Sequence, residues 1–242
     1  MSILDVENMD KYYDKDDDSG MLQIHEALPK HGKHGIIVGS TGSGKSNIMT
    51  DMICRNKIVY DRLYVLSRHI HQPAYKYIKK YIEGLEKKIK KRFNLNSNII
   101  QLWTDDISEL PPIEDMDAEY RNVLIIDDFA VIPKLLLNKI IDYYTRARHS
   151  NCSCYFLAQM YFHVPRAVRL NCHYIILFNN NNSREISSLE RELSNLDKGM
   201  FRKIYNYALD KKYNFLFIDN LASDSKRRFR KGFKEVIDLN SL

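Results

Sequence analysis

Seven short apolar runs rich in β-forming residues punctuate the chain, at 35–38, 63–66, 99–103, 123–126, 154–158, 174–178 and 215–218. Between several of them the apolar positions recur at helical spacing. The clearest case is 75–92, where Ile78, Ile82, Leu85 and Ile89 form one stripe among Lys76, Lys79, Lys80, Lys87, Lys88, Lys90, Lys91 and Arg92. Further helices are expected at 47–53, 134–148 and 185–193, and loops at 105–117, with Pro111-Pro112, and at 179–183, where four asparagines precede Ser183. Strands alternating with helices predict an α/β fold, a largely parallel sheet covered on both faces.

The chain has 242 residues, enough for one large α/β domain with a substantial core. The pattern divides it into a polar, acidic arm (1–30), a domain (31–220) and a basic tail (221–242). Lys and Arg outnumber Asp and Glu by 37 to 31. The excess is uneven: Asp16, Asp17 and Asp18 lie in the arm, and Arg227, Arg228, Arg230, Lys231 and Lys234 crowd the tail around Phe229 and Phe233. That interleaving suits phosphate contact with some base stacking, so a polyanionic partner is expected. The basic face of 75–92 fits the same partner or simple solvation.

Cys54, Cys152, Cys154 and Cys172 form no C-x-x-C pair and read as reduced core thiols; a disulfide framework is not expected. His69 and His71 have no partner at zinc-type spacing, so no structural metal is expected. No apolar stretch approaches the roughly twenty residues of a membrane span, and the reading is of a soluble chain in a reducing, intracellular setting.

The most specific chemistry follows the first apolar run. Gly39, Ser40, Thr41, Gly42, Ser43, Gly44, Lys45 and Ser46 match G-x-x-x-x-G-K-[ST] between a strand and a helix. The glycines let backbone N–H groups close around phosphates, and the helix start adds partial positive charge. Lys45 is expected to reach the β- and γ-phosphates of a nucleoside triphosphate, and Ser46 to ligate Mg2+. The run 122–126 then ends in Asp127-Asp128: Asp127 is expected in the magnesium shell, Asp128 to orient or deprotonate an attacking water. Gln159, at the end of 154–158, is placed to sense the γ-phosphate.

The order of these motifs, with Arg148-His149-x-Asn151, Gln159-x-Tyr161-x-His163-Val164-Pro165 and Arg169-x-Asn171, resembles the genome-packaging ATPases of poxviruses and other large DNA viruses. These belong to the FtsK–HerA superfamily of DNA-pumping motors, and the resemblance covers about residues 34–196. It implies a RecA-like P-loop core of the additional-strand division, ATP and Mg2+ as ligands, and ATP-driven translocation of viral double-stranded DNA into a capsid. It also implies a closed ring of identical subunits, hexamer or pentamer, a capsid or vertex partner, and a place in the virion or a cytoplasmic viral factory. By the same resemblance Arg148 is the arginine finger completing a neighbour's site, with Arg146 the competing candidate and Arg169 a further nucleotide or subunit contact. Taken alone, the P-loop leaves a nucleotide kinase or a non-translocating nucleotide-binding protein open.

Overall fold

The computed structural model describes residues 25, 27–94, 98–129, 132–180, 182–193, 196–197, 199–223 and 227–242, with the side chains of Arg148 and Ser183 excepted. The acidic run at 16–18 lies outside the described residues. Among the described residues nine strands form one sheet: β1 (Gly35–Val38), β2 (Arg62–Ser67), β3 (Ile100–Thr104), β4 (Asn122–Asp127), β5 (Cys152–Ala158), β6 (Tyr174–Phe178), β7 (Phe215–Asp219), β8 (Phe229–Lys231) and β9 (Glu235–Val236). Their order is β3-β2-β4-β5-β1-β6-β7-β8-β9. Strands β3 to β6 in that order run parallel, and β7, β8 and β9 extend the sheet antiparallel. β5 sits between the P-loop strand β1 and the Asp-Asp strand β4, the arrangement expected of the additional-strand division.

Among the described residues six helices cover the sheet: α1 (Lys45–Cys54), α2 (Pro73–Phe93), α3 (Lys134–Arg146), α4 (Arg166–Leu170), α5 (Ser183–Leu193) and α6 (Met200–Ala208). The central strands are buried on both faces and divide their residues with period two. Ile36, Leu124, Ile126, Cys154 and Phe156 point into one core with Ile140 of α3, Val168 of α4, Leu189 of α5 and Phe201 of α6. Ile37, Val123, Ile125, Tyr155 and Leu157 point into the other with Met49 of α1 and Tyr75, Ile78 and Ile82 of α2. The stripe read at 75–92 is therefore the packing face of α2, and its lysines lie outside.

Four expectations change. The loop 105–117 is held down: two 3-10 turns, Ile107–Glu109 and Ile113–Asp115, bury Ile107, Leu110, Ile113 and Met116 against the α3 side of the sheet. The region expected as a basic tail instead supplies β8 and β9. Phe229 is 1% exposed, and Phe233 packs against Phe215 and Phe217, so neither ring is free to stack on a base. Leu28, assigned to the arm, is 2% exposed and belongs to the core with Ile37 and Met52. The helix expected through 148 ends at Arg146 and continues as a 3-10 turn, Ala147–Ser150.

Candidate nucleotide-binding and catalytic site

The site forms where the central strands end. β1 delivers Gly39, whose N–H donates to the Ala158 carbonyl at 3.1 Å and so ties the loop to the tip of β5. A Cβ at Gly39 would stand 2.6 Å from Cβ of Phe178, the last residue of β6, so only glycine lets the backbone turn there. Gly44 caps α1 in the left-handed region, at φ 117°. The hydroxyl of Ser43 is buried without a hydrogen-bond partner. Lys45 folds back along its own loop, its Nζ donating to the carbonyls of Gly39 at 2.6 Å and Ser40 at 3.1 Å. Burial lowers the Lys45 pKa, and the charges of Asp127 and Asp128 oppose that shift. Ser46 occupies the first turn of α1, half-buried.

Asp127 and Asp128 have different surroundings although they are adjacent. Asp127, the last residue of β4, is 4% exposed and accepts a 2.6 Å hydrogen bond from the Tyr75 hydroxyl of α2. Burial raises its pKa, while that hydrogen bond and the Lys45 charge pull it down. Asp128 leaves the strand in the left-handed region at φ 62°, which no β-strand residue adopts. Its N–H still reaches back to the Leu157 carbonyl of β5 at 3.2 Å. The left-handed turn faces its carboxylate toward two donors: Gln159 Nε2 bonds Oδ1 at 2.9 Å, and His69 Nε2 lies 2.9 Å from Oδ2.

The structure thus gathers Lys45, Asp127, Asp128 and Gln159 at the tips of β1, β4 and β5, beside Ser46 at the start of α1. It adds two residues absent from the sequence reading. His69 lies two positions beyond the end of β2, whose Ser67 pairs in register with Asp127, and Ser67 Oγ accepts the His69 N–H at 3.1 Å. In sequence His69 offered only a missing zinc partner. Tyr75 appeared as the first residue of the helical segment at 75–92; its ring is buried, and its hydroxyl emerges at the acid of β4.

The arginines lie elsewhere. The 3-10 turn holding Arg148 precedes β5, and Asn151 at its end accepts the Asn122 N–H where β4 begins. β4 has six residues, so this edge stands about 20 Å from the P-loop within the subunit. The Arg148 side chain itself is not among those described. Arg146 forms an ion pair with Glu114 of its own chain. Arg169, expected as a nucleotide or subunit contact, serves instead as an internal tie: it pairs with Glu192 of α5 at 3.0 Å and lies over the rings of Tyr161 and Phe162.

The residues present suit a nucleoside triphosphate. The loop is bent by glycines at positive φ, the orphaned Ser43 hydroxyl lies within it, and a lysine ammonium lies along it. They also suit the usual way magnesium is held in such sites, by one or two protein oxygens with the rest from phosphate and water. Ser46 and Asp127 are the candidate ligands, and among the described residues no cluster of three or more His, Cys, Asp or Glu forms an all-protein cage. Among those residues no helix is long and apolar enough to cross a membrane.

Comparison with known proteins agrees with this architecture. The chain is similar in fold to the genome packaging NTPase B204 of Sulfolobus turreted icosahedral virus 2. In complex with sulfate that protein matches at a TM-score of 0.54 and 17% identity over 78% of this chain and 92% of its own. Its complexes with AMP and with AMPPCP each match at a TM-score of 0.52 and 16% identity over the same shares. No curated protein matches significantly in sequence. The family described as Poxvirus A32 protein matches residues 25–229, which holds every described element from β1 to the start of β8. The chain belongs to the Poxvirus A32 protein family.

Proposed function

We propose that this chain, a P-loop ATPase by family and by the make-up of its site, couples ATP hydrolysis to packaging of viral double-stranded DNA. The observation that carries the proposal is the meeting of Lys45, Asp127, Asp128 and Gln159 at the tips of three adjacent parallel strands, with the extra strand β5 supplying the glutamine. In this reading the loop from Gly39 to Ser46 binds the phosphates of ATP, its N–H groups and Lys45 offsetting their charge. Ser46 and Asp127 would hold Mg2+, which when bound would supply positive charge against that of the phosphates. Asp128 orients the attacking water and takes its proton, which requires one of its two hydrogen bonds to yield. Gln159, holding one Asp128 oxygen, is set to report the state of the γ-phosphate to the base. His69, holding the other, is a positioning residue that keeps the carboxylate aimed until water replaces it.

Arg148 stands at the far edge of its own sheet, so its proposed role is in trans, on the nucleotide of a neighbouring subunit. A head-to-tail ring, pentameric or hexameric, gives every site such a neighbour. The proposed divisions are the 1–30 arm, whose end packs into the core at Leu28, the domain through 220, and the segment from 221, folded onto the sheet edge. The family and the similar genome packaging NTPases support a viral packaging setting; a place in the virion or viral factory and a capsid or vertex partner belong to the same proposal. The test is ATP turnover with and without duplex DNA, measured alongside the mass of the assembly, with Lys45→Ala as the inactive control. DNA-stimulated turnover by an oligomer is expected; a monomer with ATP present whose turnover ignores DNA would overturn the proposal.

A further inference from the structure

On α5 the charges are sorted by sign. Its three carboxylates are all engaged within the fold: Glu185 accepts the Tyr161 N–H at 2.5 Å, Glu190 the Gly199 N–H at 2.7 Å, and Glu192 pairs with Arg169. The opposite stripe, Arg184, Ser187, Ser188 and Arg191, follows helical i, i+3, i+4, i+7 spacing. Arg202 of α6 joins it, and the five residues line a groove of about 550 Å³. All three arginines are exposed, and among the described residues none is paired with a carboxylate.

Hydroxyls position these guanidiniums without neutralising them: Arg191 Nη2 donates to Ser188 Oγ and Arg202 Nη2 to Ser187 Oγ, each at 3.2 Å. Arg184 and Arg191 are seven residues apart, about 10 Å along the helix. That is about three base-pair steps of one DNA strand at 3.4 Å each. Planar guanidiniums match phosphate oxygens two at a time, which lysines do not. The lysines of α2 stand instead on the outer face of a single helix, mixed with Glu83 and Glu86.

We infer that the Arg184–Arg191–Arg202 groove between α5 and α6 is the surface through which the chain holds the phosphate backbone of duplex DNA, independent of sequence. It rests on the packaging reading above and names the grip. The groove also has a short route to the nucleotide: α5 starts five residues beyond Phe178, which abuts Gly39.

The experiment is binding of a fluorescein-labelled duplex to the full chain by anisotropy, from 50 to 200 mM salt. Wild type is compared with Arg184→Ala/Arg191→Ala/Arg202→Ala and with Lys87→Ala/Lys88→Ala/Lys91→Ala, which removes equal charge from α2. Each lost phosphate contact lowers the slope of log affinity against log salt by about 0.9. The arginine variant is therefore expected to lose about 2.7 from the slope, about 40-fold less sensitivity over that salt range, with DNA-free ATP turnover unchanged. Should it fail to fold, Arg191→Glu alone is expected to weaken binding in the same direction. Equal slopes for the arginine variant and wild type, or an equal loss in the α2 variant, would overturn the assignment while leaving the packaging reading intact. So would arginine-dependent binding of a phosphoserine peptide with DNA affinity untouched. A wild-type chain with no affinity for duplex DNA would sink the packaging reading as well.

Discussion

The two edges of the parallel half of the sheet are the opposite ends of the same strands, and their polar groups are used in opposite ways. At the amino-terminal edge polar side chains tie one element to another. Asn122 Nδ2 donates to the carbonyls of Asp117, Tyr120 and Ser150 at 2.9 to 3.0 Å. Arg121 forms a two-pronged pair with Asp61 at 2.7 and 2.6 Å, and the His31 ring lies between the carbonyls of Val59 and Asn151. At the carboxyl-terminal edge the bonds gather on one carboxylate and within one loop: His69 and Gln159 to Asp128, Lys45 to its own P-loop. There Asp128 sits at positive φ, a strain on the order of 1 kcal/mol or more for a non-glycine residue. The first edge is arranged to be rigid, the second to exchange partners.

This contrast sorts mutations by readout. Changes at the carboxyl-terminal edge should lower turnover and leave the melting temperature nearly alone, and changes at the other edge should do the reverse. Arg148 is the exception that would sharpen the rule, since it lies at the amino-terminal edge and is proposed to act on a neighbour. Arg148→Ala is expected to lower turnover in the assembled state on the order of a thousandfold, with nucleotide binding kept. Mixing it with Lys45→Ala subunits should restore part of the activity, because a Lys45→Ala protomer still lends its arginine to the intact P-loop beside it. Normal turnover by assembled Arg148→Ala would remove the finger assignment.

His69 tests the other half of the contrast at smaller scale. Without its ring, one oxygen of Asp128 loses its donor, and the carboxylate can swing from its aim. His69→Ala is expected to lower kcat about tenfold with KM and melting temperature nearly unchanged, and His69→Gln, which keeps an N–H donor, to recover most of it. A fall in stability equal to that in rate would mean that His69 belongs with the structural histidines.

How much of this was legible in the chain differs between the same two edges. The P-loop, Asp127, Asp128 and Gln159 could be read because each follows an apolar run whose end fixes where a strand stops, and parallel strands stop together. β1 and β6 were read to the residue, since both are continuous apolar runs. His69 and Tyr75 were not legible as site residues: their partners lie 59 and 52 positions away, and only the pairing of β2 with β4 brings them close. The tail misled for a related reason. Phe229 among arginines looks like a nucleic-acid contact until β8 pairs with β7 and the ring meets Phe201. Arg184 and Arg191 escaped notice because the acids between them cancel the charge in sequence, and only the helix separates the signs.

The buried histidines give the cleanest test of the rigid edge. His34 Nδ1 accepts the Cys154 N–H at 3.2 Å, and His173 Nδ1 accepts the His34 N–H at 2.9 Å. Burial, reinforced by His173 and Lys33, brings the His34 pKa down to about 3, and burial brings His173 to about 4. Both rings are therefore neutral when folded at pH values where the unfolded chain, at about 6.5, takes up protons. Their contribution is fully present above pH 6.5 and is lost as the pH falls toward the folded values, because the unfolded state then binds more protons. For His34 alone the loss is about 2 to 3 kcal/mol by pH 4.5. Denaturant unfolding between pH 7 and 4.5 should show that slope, and His34→Gln should flatten it while lowering stability at pH 7. DNA-free turnover at pH 7 should be close to wild type in the folded fraction. A His34→Gln chain with the wild-type pH slope would show that the acid sensitivity arises elsewhere, and one with its turnover abolished would mean that the two edges are not independent.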